Sequence, residues 1–306
     1  MSSELGRPLN RPAVAIGNFD GVHRGHQALL ATAHRLAEST GGDVVALTFD
    51  PHPARLLAPA LAPPLIVSLA RRAELLGEAG ATVVVVEPFT RAFASIEAAA
   101  FASDVLAGDL RAAHVVVGYD FSFGKGRRGD TTMLEALGAR LGFGVSIVRR
   151  IAIHGLTCSS TKVREFALEG RVEGAEVLLG RPFEITGLVT RGAGRGRGIG
   201  FPTANLRPEA ELLPKPGIYA ARAVLDGIGP RGPIACALSV GKNPTFVNDG
   251  ALTVEAHLLD FDGDLYDRRL RIELVQRLRD EHRYETTDAL VRQIRADIAM
   301  TRELLA

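Results

Sequence analysis

The sequence predicts an α/β protein of two domains: a half built on a parallel sheet, then a small antiparallel β-barrel with a closing helix. Three observations carry this. Over residues 13–151, Val-rich apolar runs without polar alternation take turns with helical stretches, the pattern of strands covered by helices on both faces. After Gly180-Arg181-Pro182 the pattern changes to short strand-like runs separated by Gly, Pro, Asp and Asn, which suits a small barrel. The chain has 306 residues and 46% hydrophobic content, enough for two cores.

In the first half "AVAI" (13–16) leads into a helix beginning near Gly25, whose Leu29, Leu30, Ala33 and Leu36 recur at helical spacing. Gly41-Gly42 stops that helix and "VVALTF" (44–49) follows. A second helix around "LARRAELLGEAG" ends at Gly80 before "TVVVV" (82–86). A third, "IEAAAFASDVLAGDL", precedes "HVVVG" (114–118), and a fourth, "TTMLEALGARLG", precedes "VSIVRRI" (145–151). Beyond Pro182 the runs "EITGLV", "GIYAARAVL", "IACALSV", "LTVEAHLL" and "LRIELVQRL" read as barrel strands. At the end Leu290, Ile294 and Ile298 lie one turn apart, with Thr286, Thr287 and Asp288 as N-caps, so an amphipathic helix closes the chain.

Composition narrows the function. With 36 basic and 35 acidic residues the net charge is +1, so charge gives no case for a nucleic-acid or membrane partner. Cys158 and Cys236 are the two cysteines, with no CxxC, which argues against a thiolate zinc site or a disulfide scaffold and for a reducing cytoplasm. The opening "MSSELGRPLNRP" has no apolar h-region, and no apolar run approaches membrane-spanning length.

Sites in parallel sheets lie at the carboxyl ends of the strands, where "GNFDGVH" and "GYDFSFG" fall. In "GNFDGVHRGH", His23 and His26 stand three apart at the mouth of a helix. Backbone N–H groups at a helix start attract anions, and Gly17, Gly21 and Gly25 let backbone approach a phosphate. Imidazoles there can donate to oxygens whose charge grows as a phosphate bond breaks. That suits nucleotidyl transfer, in which an acceptor attacks the α-phosphate of ATP. Two other readings stand beside it: a zinc pair with Asp20 as third ligand, and a structural pair. His34, inside the following helix, reads as solvated.

Together these segments resemble a known family. "IGNFDGVHRGH" is similar to the H-x-G-H nucleotidyltransferases. "TFDPHP" (48–53), "VVGYDFSFGKGRRGD" (116–130), "SSTKVR" (159–164), "GIGFPTANL" (198–206), "GIYA" (217–220), "VGKNPTF" (240–246) and "VEAHLLDFDGDLY" (254–266) narrow the resemblance to prokaryotic bifunctional riboflavin kinase/FAD synthetases. The resemblance implies a Rossmann-like FMN adenylyltransferase domain over residues 1–182 and a riboflavin kinase barrel over 183–306. It implies riboflavin, FMN, FAD and ATP as substrates and products, with Mg2+ as cofactor.

By that resemblance Gly17, Phe19, Asp20, His23 and His26 form the first ATP-site motif. Asp120 stands where the family carries Asp or Asn, on the adenine or flavin side. Ser159, Ser160, Thr161 and Arg164 match the second phosphate-binding motif; hydroxyls and a guanidinium at a helix start can hold a departing pyrophosphate. Cys158 stands where an aliphatic residue is common and reads as a small apolar substitute. "RGAGRGRGIG" (191–200) fails the G-x-x-x-x-G-K-[ST] pattern. Alone it would be a solvated Gly/Arg loop or an RNA contact; the resemblance makes Gly192, Gly194 and Gly198 part of a loop around the kinase phosphates. In "PTAN", Thr203 and Asn205 point to one side of an extended backbone and offer oxygens suited to magnesium. Glu255 matches the catalytic carboxylate that takes the proton of the ribityl hydroxyl. "RLRDEHRYE" is expected to supply flavin contacts, and Asp267 stands where the family often has Gly. Two rival readings are a cytidylyltransferase-like enzyme active in its first domain alone, and a flavin-binding regulator. Neither accounts for His23, His26 and Glu255 together.

Overall fold

Five parallel strands form the first sheet: β1 Ala13–Ile16, β2 Val44–Asp50, β3 Val83–Pro88, β4 His114–Gly118 and β5 Gly144–Val148. The computed structural model describes residues 7–192, 195–225, 232–242 and 252–306. Gly194, and residues 243–246 of the "VGKNPTF" segment, lie outside the described residues. The chain divides into two compact units, residues 1–63 with 69–159, and residues 64–68 with 160–306.

The strand order in the first unit is β3-β2-β1-β4-β5. The chain moves outward from β1 through β2 to β3, then returns to the other side of β1 for β4. Such a reversal opens a crevice at the carboxyl ends of the two central strands, here β1 and β4. All four residues of β1 are buried, as are the first five of β2. The edge strands differ from the expectation of burial on both faces: Val86 of β3 is 37% exposed, and every residue of β5 is half-buried. An edge strand lacks a neighbour on one side, so its apolar run reads as more buried than it is. The third helical stretch also departs from its α period. It winds as a π-helix over Phe101–Asp109, and Leu110 closes it by donating to the Val105 carbonyl five residues back. A two-stranded hairpin, β6 Ala152–Ile153 with β7 Leu156–Thr157, precedes Cys158.

The second unit is a closed barrel. Its strands are β8 Phe183–Thr190, β9 Ala204–Pro208, β10 Gly217–Leu225, β11 Ile234–Lys242, β12 Leu252–Leu258 and β13 Arg269–Arg279. They run in the order β10-β11-β12-β9-β8-β13, and every pairing is antiparallel. Val254, Ala256 and Leu258 alternate into the barrel core, so Thr253, Glu255 and His257 take the outer face. Helices Ser160–Glu169 and Val172–Leu179 precede the barrel, the second packing on β8 and β13. Gly180 ends it in a left-handed cap at φ 75°. The helix Thr287–Leu305 closes the chain, with Thr286 as its side-chain cap. Among the described residues, no helix is long and apolar enough to cross a membrane.

Candidate functional site

The loop leaving β1 is bent by a run of unusual backbone. Phe19 and Val22 hold φ of 50° and 42° around Gly21 at 81°, a region that non-glycine residues rarely occupy. Phe19 is fully buried beneath this turn, and Asp20 is 2% exposed. The turn delivers His23 to the N-cap of the helix Arg24–Glu38, where its Nδ1 accepts from the His26 backbone N–H at 3.3 Å. With Nδ1 accepting, a neutral His23 carries its proton on Nε2. His26 stacks on His23 with ring centroids 3.7 Å apart, and Phe19 meets it edge-on at 5.2 Å. Nδ1 of His26 is buried and has no hydrogen-bond partner among the described residues. Burial first, then the electrostatic influence of the neighbouring His23 ring and the Arg72 guanidinium, hold the His26 pKa well below the usual histidine value. A Cβ at Gly25 would lie 3.0 Å from the His23 ring and 3.4 Å from the Cys158 carbonyl, so a side chain there would have to push the imidazole aside by a few tenths of an ångström.

The sheet also brings up the other residues of the first motif. The Gly17 N–H donates to the Leu47 carbonyl, joining the loop to β2. Asp120 is exposed just past β4, so it follows the strand beside β1. Cys158 is buried at 8% exposure, and its carbonyl lies beside Gly25. Ser159 and Ser160 are half-buried and Thr161 is exposed, at the start of helix Ser160–Glu169. Arg164 is buried on that helix, with Nε donating to the Pro64 carbonyl at 2.8 Å.

On the barrel, register assembles a row of polar side chains. Asn205 of β9 pairs directly with Glu255 of β12, Glu255 with Ser239 of β11, and Thr190 of β8 with Asn205. Directly paired residues share a face, so Thr190, Asn205, Glu255 and Ser239 line one stripe. Thr203 Oγ1 donates to Glu255 Oε2 at 3.3 Å. The turn before it is held by His257, whose Nδ1 lies 2.7 Å from the Pro202 carbonyl and whose ring meets Phe201 edge-on. A Cβ at Gly192 would collide with the Asn205 amide, so backbone lies directly against that side chain. Among the described residues, nothing lies within 4 Å of where a Cβ would stand on Gly198, which ends the short helix Arg195–Gly198.

Three further residues were not singled out by the sequence as members of a site. The Glu281 carboxylate rests against Gly241, where any Cβ would collide with it, and accepts from Ser239 Oγ at 3.5 Å. It lies in the "RLRDEHRYE" segment, which offers several charged residues and no way to choose among them. The other two, Thr48 and Arg72, lie beneath the histidine turn. Arg71 and Arg72 stand side by side on one helix and both are buried, which no local pattern signals.

Comparisons with known proteins match both parts of the chain. A family model described as FAD synthetase matches residues 7–162, and one described as riboflavin kinase matches residues 179–305. The bifunctional riboflavin kinase/FMN adenylyltransferase of Pseudomonas fluorescens is 40% identical over 98% of this chain and 95% of its own. That of Escherichia coli K12 is 38% identical over 97% of this chain and 93% of its own. A solved structure from Streptococcus pneumoniae, described as a macrolide-efflux protein, superposes with a TM-score of 0.85 at 31% identity, over 98% of this chain and 96% of that one. With both models in tandem and relatives matched over nearly its whole length, the chain belongs to the bifunctional riboflavin kinase/FMN adenylyltransferase family.

Proposed function

We propose that the histidine turn and the Glu255 stripe are the two reaction centres of this enzyme, in domains spanning residues 1–182 and 183–306. The chain phosphorylates riboflavin to FMN with ATP and adenylylates FMN with a second ATP, giving FAD and pyrophosphate. The observation that carries the assignment is chemical. His23 and His26 are stacked at a helix N-terminus, whereas Glu255 is a carboxylate facing Asn205 across two strands.

In adenylylation the FMN phosphate attacks the α-phosphate of ATP and pyrophosphate leaves, without an enzyme nucleophile. His23, donating from Nε2, and His26 stabilise the oxygens on which charge accumulates. Gly17, Phe19 and Asp20 shape the loop that receives the nucleotide, and Asp120 serves its adenine or flavin side. Ser159, Ser160, Thr161 and Arg164 complete the phosphate contacts.

In phosphorylation Glu255 accepts the proton of the ribityl hydroxyl as that oxygen attacks the γ-phosphate. Gly192, Gly194 and Gly198 belong to the loop around the phosphates; the close approach of Gly192 to Asn205 supports its part in this. The Thr203 hydroxyl and Asn205 amide oxygen are hard donors beside a carboxylate, a set that fits Mg2+ shared with phosphates and water. Bound there, Mg2+ would neutralise charge on the transferring phosphoryl group. Two buried, unpaired cysteines support a cytoplasmic location.

Reciprocal loss is the test. His26→Ala lowers FMN adenylylation about 100- to 1,000-fold and leaves riboflavin phosphorylation intact. Glu255→Gln lowers phosphorylation roughly 100- to 10,000-fold and leaves FMN-to-FAD conversion intact. Chromatography of the flavins after incubation with Mg-ATP reads both, and equal loss of the two activities in either folded variant refutes the assignment.

A further inference from the structure

Arg72 has no part in the chemistry described so far, yet it is among the largest fully buried side chains of the protein, at 1% exposure. It extends from the helix Leu69–Glu78 to the carboxyl ends of β1 and β2. Its Nη1 donates to the Asn18 carbonyl at 2.8 Å and lies 3.3 Å from both Thr48 Oγ1 and the Phe49 carbonyl. Thr48 Oγ1 donates to the same Asn18 carbonyl at 3.1 Å. Two donors therefore converge on one backbone oxygen, immediately before the turn in which Phe19 and Val22 hold positive φ. Backbone of that kind persists only where its surroundings over-determine it.

A purely packing role accounts poorly for this side chain. Among the described residues its Nε and Nη2 have no hydrogen-bond partner, and Asp50 Oδ1 is 4.0 Å from Nη2. Unmade hydrogen bonds on a buried cation are costly, and a hydrocarbon in such a place is often at least as stable. We infer that Arg72 is a positioning residue for FMN adenylylation: with Thr48 it clamps the Asn18 carbonyl, holds the strained turn, and fixes the direction in which His23 and His26 meet the phosphates. The inference rests on the histidine reading above.

The test uses the full chain and steady-state FMN adenylylation. Arg72→Met keeps the length of the side chain and removes every donor. Its kcat falls by up to about 100-fold, the scale of a small misplacement of catalytic groups, with little change in the KM for ATP. Arg72→Lys recovers most of the rate, because one ammonium can still reach the Asn18 carbonyl. On a His26→Ala background Arg72→Met costs much less than on the wild type, since both act through one group; a general loosening of the fold would multiply with it. Thr48→Val removes the other half of the clamp and decides the matter if Arg72→Met does not fold: kcat falls about tenfold or more. Wild-type turnover in a folded Arg72→Met or in Thr48→Val overturns the inference, as do independent, multiplying losses in the double variant. Full adenylylation in His26→Ala refutes the histidine reading instead, and Arg72 is then judged on its own kcat and its rescue by lysine. Riboflavin phosphorylation stays unchanged throughout.

Discussion

His23 caps a helix through Nδ1, and the same bond leaves its proton on Nε2. Neighbouring His26 is kept uncharged, first by burial and then by the nearby His23 ring and Arg72 guanidinium. A base whose folded pKa is depressed takes its proton later in the folded state than in the unfolded chain. As pH falls through the ordinary histidine value, the unfolded state binds the extra proton and this ring subtracts from stability. The expected outcome is a His26 imidazole resonance that does not titrate between about pH 6.5 and 8. A midpoint near the free-histidine value would mean that the ring is not enclosed. The histidine pair was legible because its spacing and glycines are local. Arg72 was not, because its burial depends on two strand ends, 23 and 54 residues away in sequence, converging beneath its helix. Asp267 lies between these cases. The resemblance marked it as a departure from Gly, and it holds φ of 61°, the left-handed conformation glycine adopts freely.

Elements were legible where their period was uninterrupted. The closing helix begins at Thr286, one of the three caps expected, but the apolar stripe does not supply its most buried residues. Leu290, Ile294 and Ile298 are half-buried, while Asp297 and Thr301 are buried outright. Asp297 is tolerated there because Arg279 of β13 pairs with it through two bonds, at 2.9 and 2.7 Å. Strand β9 escaped the list of expected strands because Leu206 is its one buried residue, too little for an alternating pattern. A similar long-range ion pair ties the segment before β1. Arg7 donates to both oxygens of Asp43, which also accepts from the Asn10 N–H at 2.7 Å. The Arg7 hydrogen bond holds the Asp43 carboxyl below the usual aspartate pKa. A depressed acid contributes stability above its unfolded pKa and loses it as pH falls through the folded value. Asp43→Asn should therefore lower the melting temperature at neutral pH, and the gap from the wild type should close below about pH 4. A gap independent of pH would assign the loss to shape and not to charge.

At the scale of the molecule, the change of pattern at Gly180-Arg181-Pro182 located the end of a helix, which Gly180 caps. It did not reveal that the two preceding helices cluster with the barrel, since unit membership depends on packing that no local signal carries. Val172, Ala175, Leu178 and Leu179 are buried on the helix that packs against β8 and β13. Ahead of it, the Lys215 N–H donates to the Ala167 carbonyl, and a Cβ at Gly170 would press within 2.5 Å of the Arg277 side chain. A fragment Phe183–Ala306 removes all of this cover from the barrel, whereas Ser160–Ala306 keeps it. Each buried aliphatic side chain is worth roughly 1.5–3 kcal/mol, so the shorter fragment should be less stable by about 4 kcal/mol or more, after some relaxation. Urea titration of both fragments measures the difference directly. The longer fragment is expected to convert riboflavin to FMN and to make no FAD, because the histidine turn is absent from it. Equal urea midpoints would show that the helices are dispensable cover. A well-folded Ser160–Ala306 without kinase activity would instead mean that residues before 160 complete the Glu255 site.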